Sequence, residues 1–247
     1  MNKVTHSYTV QYAITLSGKL LPTVFVCLQE KTGSFGPQVQ VKVDKLAEVD
    51  NVVNTSSKSG KLTTGLYSNF IHDCVKPYLN EEKFLHLADS WSGPTKLEMY
   101  DSTFQGGDQM PTCTVKVVPP KCTPPVQPCD VYFYRQVKIL IKRLQNSVDL
   151  KGHGREINCR DCIKIHLIVH HQLSSNLFRS MIQYAWFVSG LSNSRSVFMH
   201  VNEVCFSTDL LKTLCVCEKS SFTRCARCRV LLCFSCFYDD DHCILCS

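Results

Sequence analysis

The sequence predicts an α/β fold with a mixed sheet, followed by a small metal-bound module. Three observations carry this. Apolar-alternating and helix-periodic segments follow one another as hairpin, helix, strand, helical or loop segment, strand and helix, an order that builds a mixed sheet with helices against it. Eight of the 16 cysteines fall between Cys215 and Cys246, and the other eight are scattered over the first 205 residues. At 247 residues, 44% hydrophobic, the chain can bury an ordinary core, yet it contains no apolar run of transmembrane length and no basic segment leading into a signal-peptide core. The expected setting is therefore nuclear or cytoplasmic, without membrane. Disulfides are disfavoured there, so the cysteines need another use. A net charge of +6 suits an acidic partner such as nucleic acid.

The elements follow in order. His6 to Leu16 is β-rich, Ser17-Gly18 signals a turn, and Leu20 to Leu28 is a strongly apolar strand, together a hairpin. Lys45 to Gly65 is polar, with Ser and Asn clusters, and reads as a loop. Leu66 to Tyr78 places Leu66, Phe70, Cys74, Val75 and Tyr78 on one helical face, with a stop near Pro77. Lys83 to Ala88 is a short strand ending at Asp89, and Thr112 to Val118 is another. Cys159 to Val169 and Leu177 to Ser189 read as helices. The expected divisions are an α/β domain over 1–147, a helical extension over 148–205 and the metal module over 206–247.

The stretch VPPKCTPPVQPCDVYFYRQVK, Val118 to Lys138, sets five prolines before one acid and a basic, aromatic helix. Proline fixes φ, donates no hydrogen bond and pushes the residue before it extended, so the tract reads as a stiff connection. Asp130 then falls where a helix starts, as an N-cap. Phe133, Val137, Leu140, Ile141 and Leu144 recur at helical spacing. Arg135, Lys138, Lys142 and Arg143 share the other face, either as a solvated surface or as contacts to nucleic-acid phosphates. Asp89 sits at the end of a strand and Asp130 at the start of the helix after the last strand, and strand ends in open α/β sheets are where ligands gather. Two such carboxylates can share Mg²⁺ or Mn²⁺, the arrangement that supports two-metal phosphodiester cleavage.

These blocks, LHLADSWSG and the proline tract with Pro119, Pro120, Thr123, Gln127, Pro128 and Asp130 in register, resemble the second and third acid blocks of the DDE endonuclease domain of mariner/pogo-type transposases. The opening HSYTVQYAITLSGKLLPTVFVCLQE resembles the hairpin that follows the first acid, so the similarity covers about Thr5 to Leu144. It implies an RNase H-like fold, with Asp89 and Asp130 as metal-binding acids of the catalytic triad and DNA as partner. The first acid belongs on a strand before the hairpin, and Met1 to Tyr8 holds no acid. Glu30, Asp44 and Asp73 lie in the wrong blocks. The expectation is an N-terminally truncated, transposon-derived protein that does not cut DNA unaided.

Cys159-x-x-Cys162 could in isolation be half of a zinc site or a redox pair, but it has no second half-site nearby and reads as packing cysteine, with His166 and His170 one turn apart on the same helix. Trp186 reads as core. The C-terminal text CVCEKSSFTRCARCRVLLCFSCFYDDDHCILC is richer. Cys225-x-x-Cys228 and Cys233-x-x-Cys236 have zinc-knuckle spacing, Cys215 with Cys217 and His242 with Cys246 supply further pairs, and Cys243 competes. Eight ligands suggest two structural zinc ions in closed tetrahedral sites. The alternative is a disulfide knot. A segment this short has too little apolar mass to fold without help. The pattern from Cys217 onward resembles a B-box zinc finger, with a C-x-C lead where that family has two intervening residues. Its interleaved arrangement implies one ion on Cys215, Cys217, Cys233 and Cys236 and another on Cys225, Cys228, His242 and Cys246. Such a module also suits protein–protein contact.

Overall fold

The computed structural model describes residues 7–47, 51–79, 82–151, 158–209 and 212–246. Two compact units emerge, one made of 1–13 and 21–130, the other of 14–20 and 131–247. The architecture is mixed α/β with small sheets, ending in a Cys/His cluster.

In the first unit, β1 (Tyr8–Gln11) pairs antiparallel with β2 (Val24–Gln29), in register Tyr8 to Leu28 and Gln11 to Phe25. This is the expected hairpin, with shorter strands; His6 lies outside the described residues. Helix α1 (Pro37–Ala47) opens on a proline, where the missing N–H costs nothing. The polar stretch expected to be a loop contains β3 (Val52–Ser57), which pairs parallel with β2. Its Val-Val-Asn-Thr-Ser-Ser sequence lacks apolar alternation. Pairing with the buried β2 makes it a strand, and a place at the sheet edge tolerates its polar side chains.

Helix α2 (Thr64–Phe70), capped by the Thr63 hydroxyl, runs through a π turn over Ile71–Val75 into α3 (Lys76–Leu79). Pro77 therefore lies inside the helical stretch, which is described to Leu79, close to the expected stop. A π turn just ahead of proline relieves its clash with the preceding carbonyl ladder. Strands β4 (Phe84–Ala88) and β5 (Cys113–Val117) form a parallel pair joined through α4 (Leu97–Thr103). Phe25, Phe70, Ile71, Tyr100 and Phe104 fill the core on which these elements meet. There Tyr100 donates to the Tyr67 hydroxyl at 3.2 Å, and that hydroxyl lies 3.2 Å from His86 Nε2. Burial lowers the His86 pKa to about 4.

The proline tract is not extended throughout. Thr123–Val126 forms one helical turn, α5, which accepts prolines because its first N–H groups need no partner. Asp130 falls inside a π turn, Cys129–Phe133, in its first turn and past the position of an N-cap. Its N–H donates to Gln127 O at 3.0 Å.

The second unit is helical. Helix α6 (Tyr134–Lys151) buries Val137, Leu140, Leu144 and Val148 at heptad-like spacing. Helix α7 (Cys159–Leu173) starts at a capping box in which Asn158 and Asp161 satisfy each other's backbone N–H. A short 3₁₀ turn leads into α8 (Arg179–Val188), and α9 (Val201–Cys205) follows. Residues 14–20, the tip of the opening hairpin, belong here: Ser17 O accepts from Arg179 Nε at 3.0 Å. Gly18, with φ +85°, packs where a Cβ would come within 2.5 Å of Arg179 O, so only glycine fits. Cys162 is buried, and Trp186 is half-buried. The unit closes with a hairpin of β6 (Thr223–Arg224) and β7 (Leu231–Leu232) and with α10 (His242–Leu245). Among the described residues, no helix is long and apolar enough to cross a membrane.

Candidate metal centre

Two tight turns and one hairpin gather the ligands. In the first turn the Cys215 N–H donates to Lys219 O at 2.9 Å, with Glu218 held at φ +65°. In the second the Cys225 N–H donates to Val230 O at 2.9 Å, with Arg229 at φ +67°. Left-handed backbone costs a non-glycine residue roughly 1–2 kcal/mol. Both turns accept it and curl backbone N–H groups toward the cysteine sulfurs. The β6–β7 ladder, Thr223 to Leu232, then delivers Cys233 directly after β7. A π turn over Ser235–Asp239 leads to α10, which starts with His242 and delivers Cys246.

The eight side chains form two groups, Cys215, Cys217, Cys233 and Cys236, and Cys225, Cys228, His242 and Cys246. In each, the four ligand atoms lie within 4.8 Å of one another. This is the partition that the B-box likeness implies. A tetrahedron with Zn–S bonds near 2.3 Å needs sulfur–sulfur edges of about 3.8 Å. Cys217 and Cys233 are 3.5 Å apart, Cys236 and Cys217 3.7 Å, and Cys225 and Cys246 3.8 Å. Cys228 Sγ is 3.4 Å from His242 Nε2. Both groups can hold a metal ion, and soft thiolates with one imidazole in this geometry suit zinc. None of the eight cysteines from Cys215 to Cys246 forms a disulfide, which removes the disulfide knot. Cys243 stands outside both groups; burial pushes its thiol up to about 12.

The electrostatics of the two groups are alike. Burial opposes ionisation of Cys215, but the N–H groups of Cys217 and Cys233 outweigh it and bring its pKa down to about 6. Cys236 is pushed up by hydrogen bonding with the Cys233 and Cys217 thiols. In the second group burial likewise opposes Cys225, and the Gln172 side chain with the N–H groups of Cys228 and Arg227 brings it down. Cys246 is raised to about 12 by burial and then by Cys225. One thiol in each group is brought down while another is held up. A divalent cation removes that opposition.

The second group rests on α7, through residues that sequence reasoning did not connect with metal. Gln172, fully buried, donates through Nε2 to Cys225 Sγ at 3.4 Å and accepts the Ala226 N–H at 2.6 Å. The same Nε2 lies 3.1 Å from His171 Nδ1, and His171 Nε2 lies 3.1 Å from Cys246 O. One assignment satisfies all of these. The amide gives one hydrogen to the sulfur and one to Nδ1, and neutral His171 gives its Nε2 hydrogen to the carbonyl. Burial lowers the His171 pKa to about 4, consistent with that neutral form. Lys164 pairs with Asp241, the residue before His242, at 2.6 Å and lies 4.8 Å from the Tyr238 ring centroid. The sequence did hold a signal for this. Asp161 to Leu173 is buried at every position, yet it includes Asp, Lys, Gln and three His. A helix buried all round with that many polar groups must have polar partners.

The other candidate residues are placed as follows. Asp89, at the end of β4, accepts through Oδ1 from its neighbour Ser90 N–H at 2.7 Å and from the Thr123 hydroxyl at 2.9 Å. It thereby ties β4 to the proline tract. Asp130 is exposed. Asp44 accepts from Gln40 at 2.7 Å, and Asp73 pairs with His72 at 2.9 Å. Among the described residues, the groups of three or more metal-ligating side chains are the two Cys/His groups alone. Arg135, Lys138 and Lys142 are exposed on α6. Arg143 lies 5.2 Å over the Phe206 ring, which continues through Phe222 to Phe234 and Tyr238 as the aromatic core of the module. Comparison with known protein families, with curated proteins and with solved structures finds no match for this chain.

Proposed function

We propose that this chain is a zinc-stabilised nucleic-acid-binding protein, acting in the nucleus, whose α/β unit descends from a DDE endonuclease with an RNase H-like fold and now serves binding. The observation that carries the reading is α6. It presents Arg135, Lys138 and Lys142 to solvent, while Val137, Leu140 and Leu144 anchor it in the core. Cations fixed on a rigid helix engage backbone phosphates without reading sequence. The DDE ancestry is supported by the two acid blocks, by the parallel β4–β5 pair that sets Asp89 at a strand end, and by the tract that leads from β5 to Asp130. The parallel β3 falls within the resembling stretch, but none of the blocks that carry the likeness contains it. Asp89 spends Oδ1 on Ser90 and Thr123, a structural task that favours binding over metal-dependent cleavage.

The test is a salt titration of duplex DNA binding with the full, zinc-loaded chain. Binding that weakens steeply with salt, and that weakens further in a R135Q/K138Q/K142Q variant, is expected. No binding at low salt refutes the reading. Cleavage of the duplex with Mg²⁺ or Mn²⁺, lost in D89N, would restore the nuclease. A second reading, a protein-contact scaffold, is favoured by Leu214 and Val216, which stand 62% and 83% exposed on either side of Cys215.

A further inference from the structure

Where the end of α7 meets the turn carrying Cys225 and Cys228, the second unit opens into a groove of about 560 Å³. Ser174 to Leu177 form one side, and Ala226, Arg227 and Arg229 the other. No carboxylate lines it. Arg227 donates through Nε to His171 O at 3.3 Å and through Nη2 to the Ser174 hydroxyl at 3.1 Å. Both partners are neutral, so the guanidinium is fixed in direction while its charge stays uncancelled. Among the described residues neither arginine takes part in an ion pair. The walls are tied together, because the buried Ser175 hydroxyl donates to Ala226 O at 2.8 Å and the Ala226 N–H donates to Gln172.

The neighbouring metal group does not absorb this charge. Three thiolates, one imidazole and a divalent ion carry a single net negative charge, and two arginines exceed it. A concave, acid-free surface with a pre-oriented guanidinium is built for an oxyanion that accepts forked N–H donors. The lining contains no aromatic side chain on which a base could stack, which leaves the phosphate as the part recognised. We propose that this groove binds backbone phosphates of a nucleic-acid strand, as a second site apart from the cations of α6. The inference rests on the nucleic-acid reading above and adds a site to it.

The experiment uses the full zinc-loaded chain and a duplex DNA probe, with fluorescence anisotropy followed across salt concentration. Removing one cation that neutralises a phosphate lowers the slope of log K against log salt by roughly 0.9. R229Q is expected to lower it by about 0.9 and R227Q/R229Q by about 1.8, with zinc content and melting temperature unchanged. Arg229 decides the matter if the double variant loses zinc, since its guanidinium makes no hydrogen bond among the described residues. Wild-type slope and affinity in R229Q, with binding abolished in R135Q/K138Q/K142Q, would overturn the groove and leave the nucleic-acid reading standing. Absence of DNA binding by the wild-type chain at low salt would overturn both. Capture of a phosphoserine peptide without duplex binding would assign the groove to a protein partner and overturn the proposal.

Discussion

The two Cys/His groups share a ligand count and a pattern of thiol acidity, and they differ in what stands behind them. The second group has Gln172 against one sulfur, His171 against the carbonyl of another ligand, and the Lys164–Asp241 pair beside its histidine. All three supports come from one buried helix. The first group is held by its own turn and by the hairpin that delivers Cys233, and Cys217 is exposed. Similar coordination can therefore do two jobs. One group is built into the helical core, and the other, with an ion bound, would staple a surface turn. Metal binding free energy is folding free energy wherever the site does not pre-exist in the unfolded chain. The consequence of losing an ion should then depend on how much structure is anchored to it.

The largest expected contrast follows directly. C225S should lose one zinc per chain and unfold much of the second unit, because the binding energy of a structural zinc, of order 10 kcal/mol, approaches the whole stability of a domain. C217S should lose one zinc and leave helicity nearly intact. Zinc content with circular dichroism compares the two. Equal loss of helicity in both variants would erase the distinction.

Gln172→Leu sharpens the same comparison without touching a ligand. It strands the buried Ala226 N–H and removes the donor to Cys225, a cost of about 2–3 kcal/mol. Outer-shell changes of this kind lower metal affinity by about 10–100-fold. Chelator competition should show weakening confined to one of two ions. Uniform weakening of both, or of neither, would detach Gln172 from the metal.

Acid should act on the units by different routes. Burial lowers the pKa of His166, on α7, to about 3 and that of His86, in the first unit, to about 4. An unfolded histidine titrates near 6.5, so the unfolded chain binds more protons between these values. Stability contributed by keeping each histidine neutral is present above about pH 6.5 and is lost as pH falls toward 4 for His86 and toward 3 for His166. His86→Phe should flatten that slope in the first unit irrespective of metal. Ligand protonation adds a chelator-like loss of zinc in the second unit alone. Unfolding followed at several pH values, with and without excess zinc, separates the routes. An identical response of both units to zinc would count against the division.

The metal ligands were legible because their chemistry is local. Pairs such as Cys225 with Cys228 and Cys233 with Cys236 fix the ligands by spacing, and the B-box likeness supplied the pairing. The hairpin, β4, β5 and α7 were legible from apolar pattern and turn chemistry. Strand β3 was not, since Val-Val-Asn-Thr-Ser-Ser becomes a strand through pairing with β2, a partner over twenty residues away. The π turns at Ile71–Val75 and Cys129–Phe133 leave no periodic signature. Nor did spacing reveal the outer shell. Gln172 meets Cys225 across 53 positions, and only the polar content of a buried helix hinted at such a partner.

The smallest expected effect lies at Val216, beside the first group. It is 83% exposed, so Val216→Ser removes little apolar packing within the chain and should shift stability by no more than about 0.5 kcal/mol. Zinc content should stay at the wild-type value, because neither Cys215 nor Cys217 depends on the valine side chain for its turn; the Cys215 N–H to Lys219 O bond is backbone alone. The residue therefore separates the metal-bound turn as a staple from the same turn as a contact surface. A partner that binds the wild-type chain and binds Val216→Ser more weakly, with zinc and melting temperature unchanged, would give the first group an outward role to match the inward role of the second. Unchanged binding would leave it as a staple, and the asymmetry between the two groups would then lie in the inward supports of the second alone.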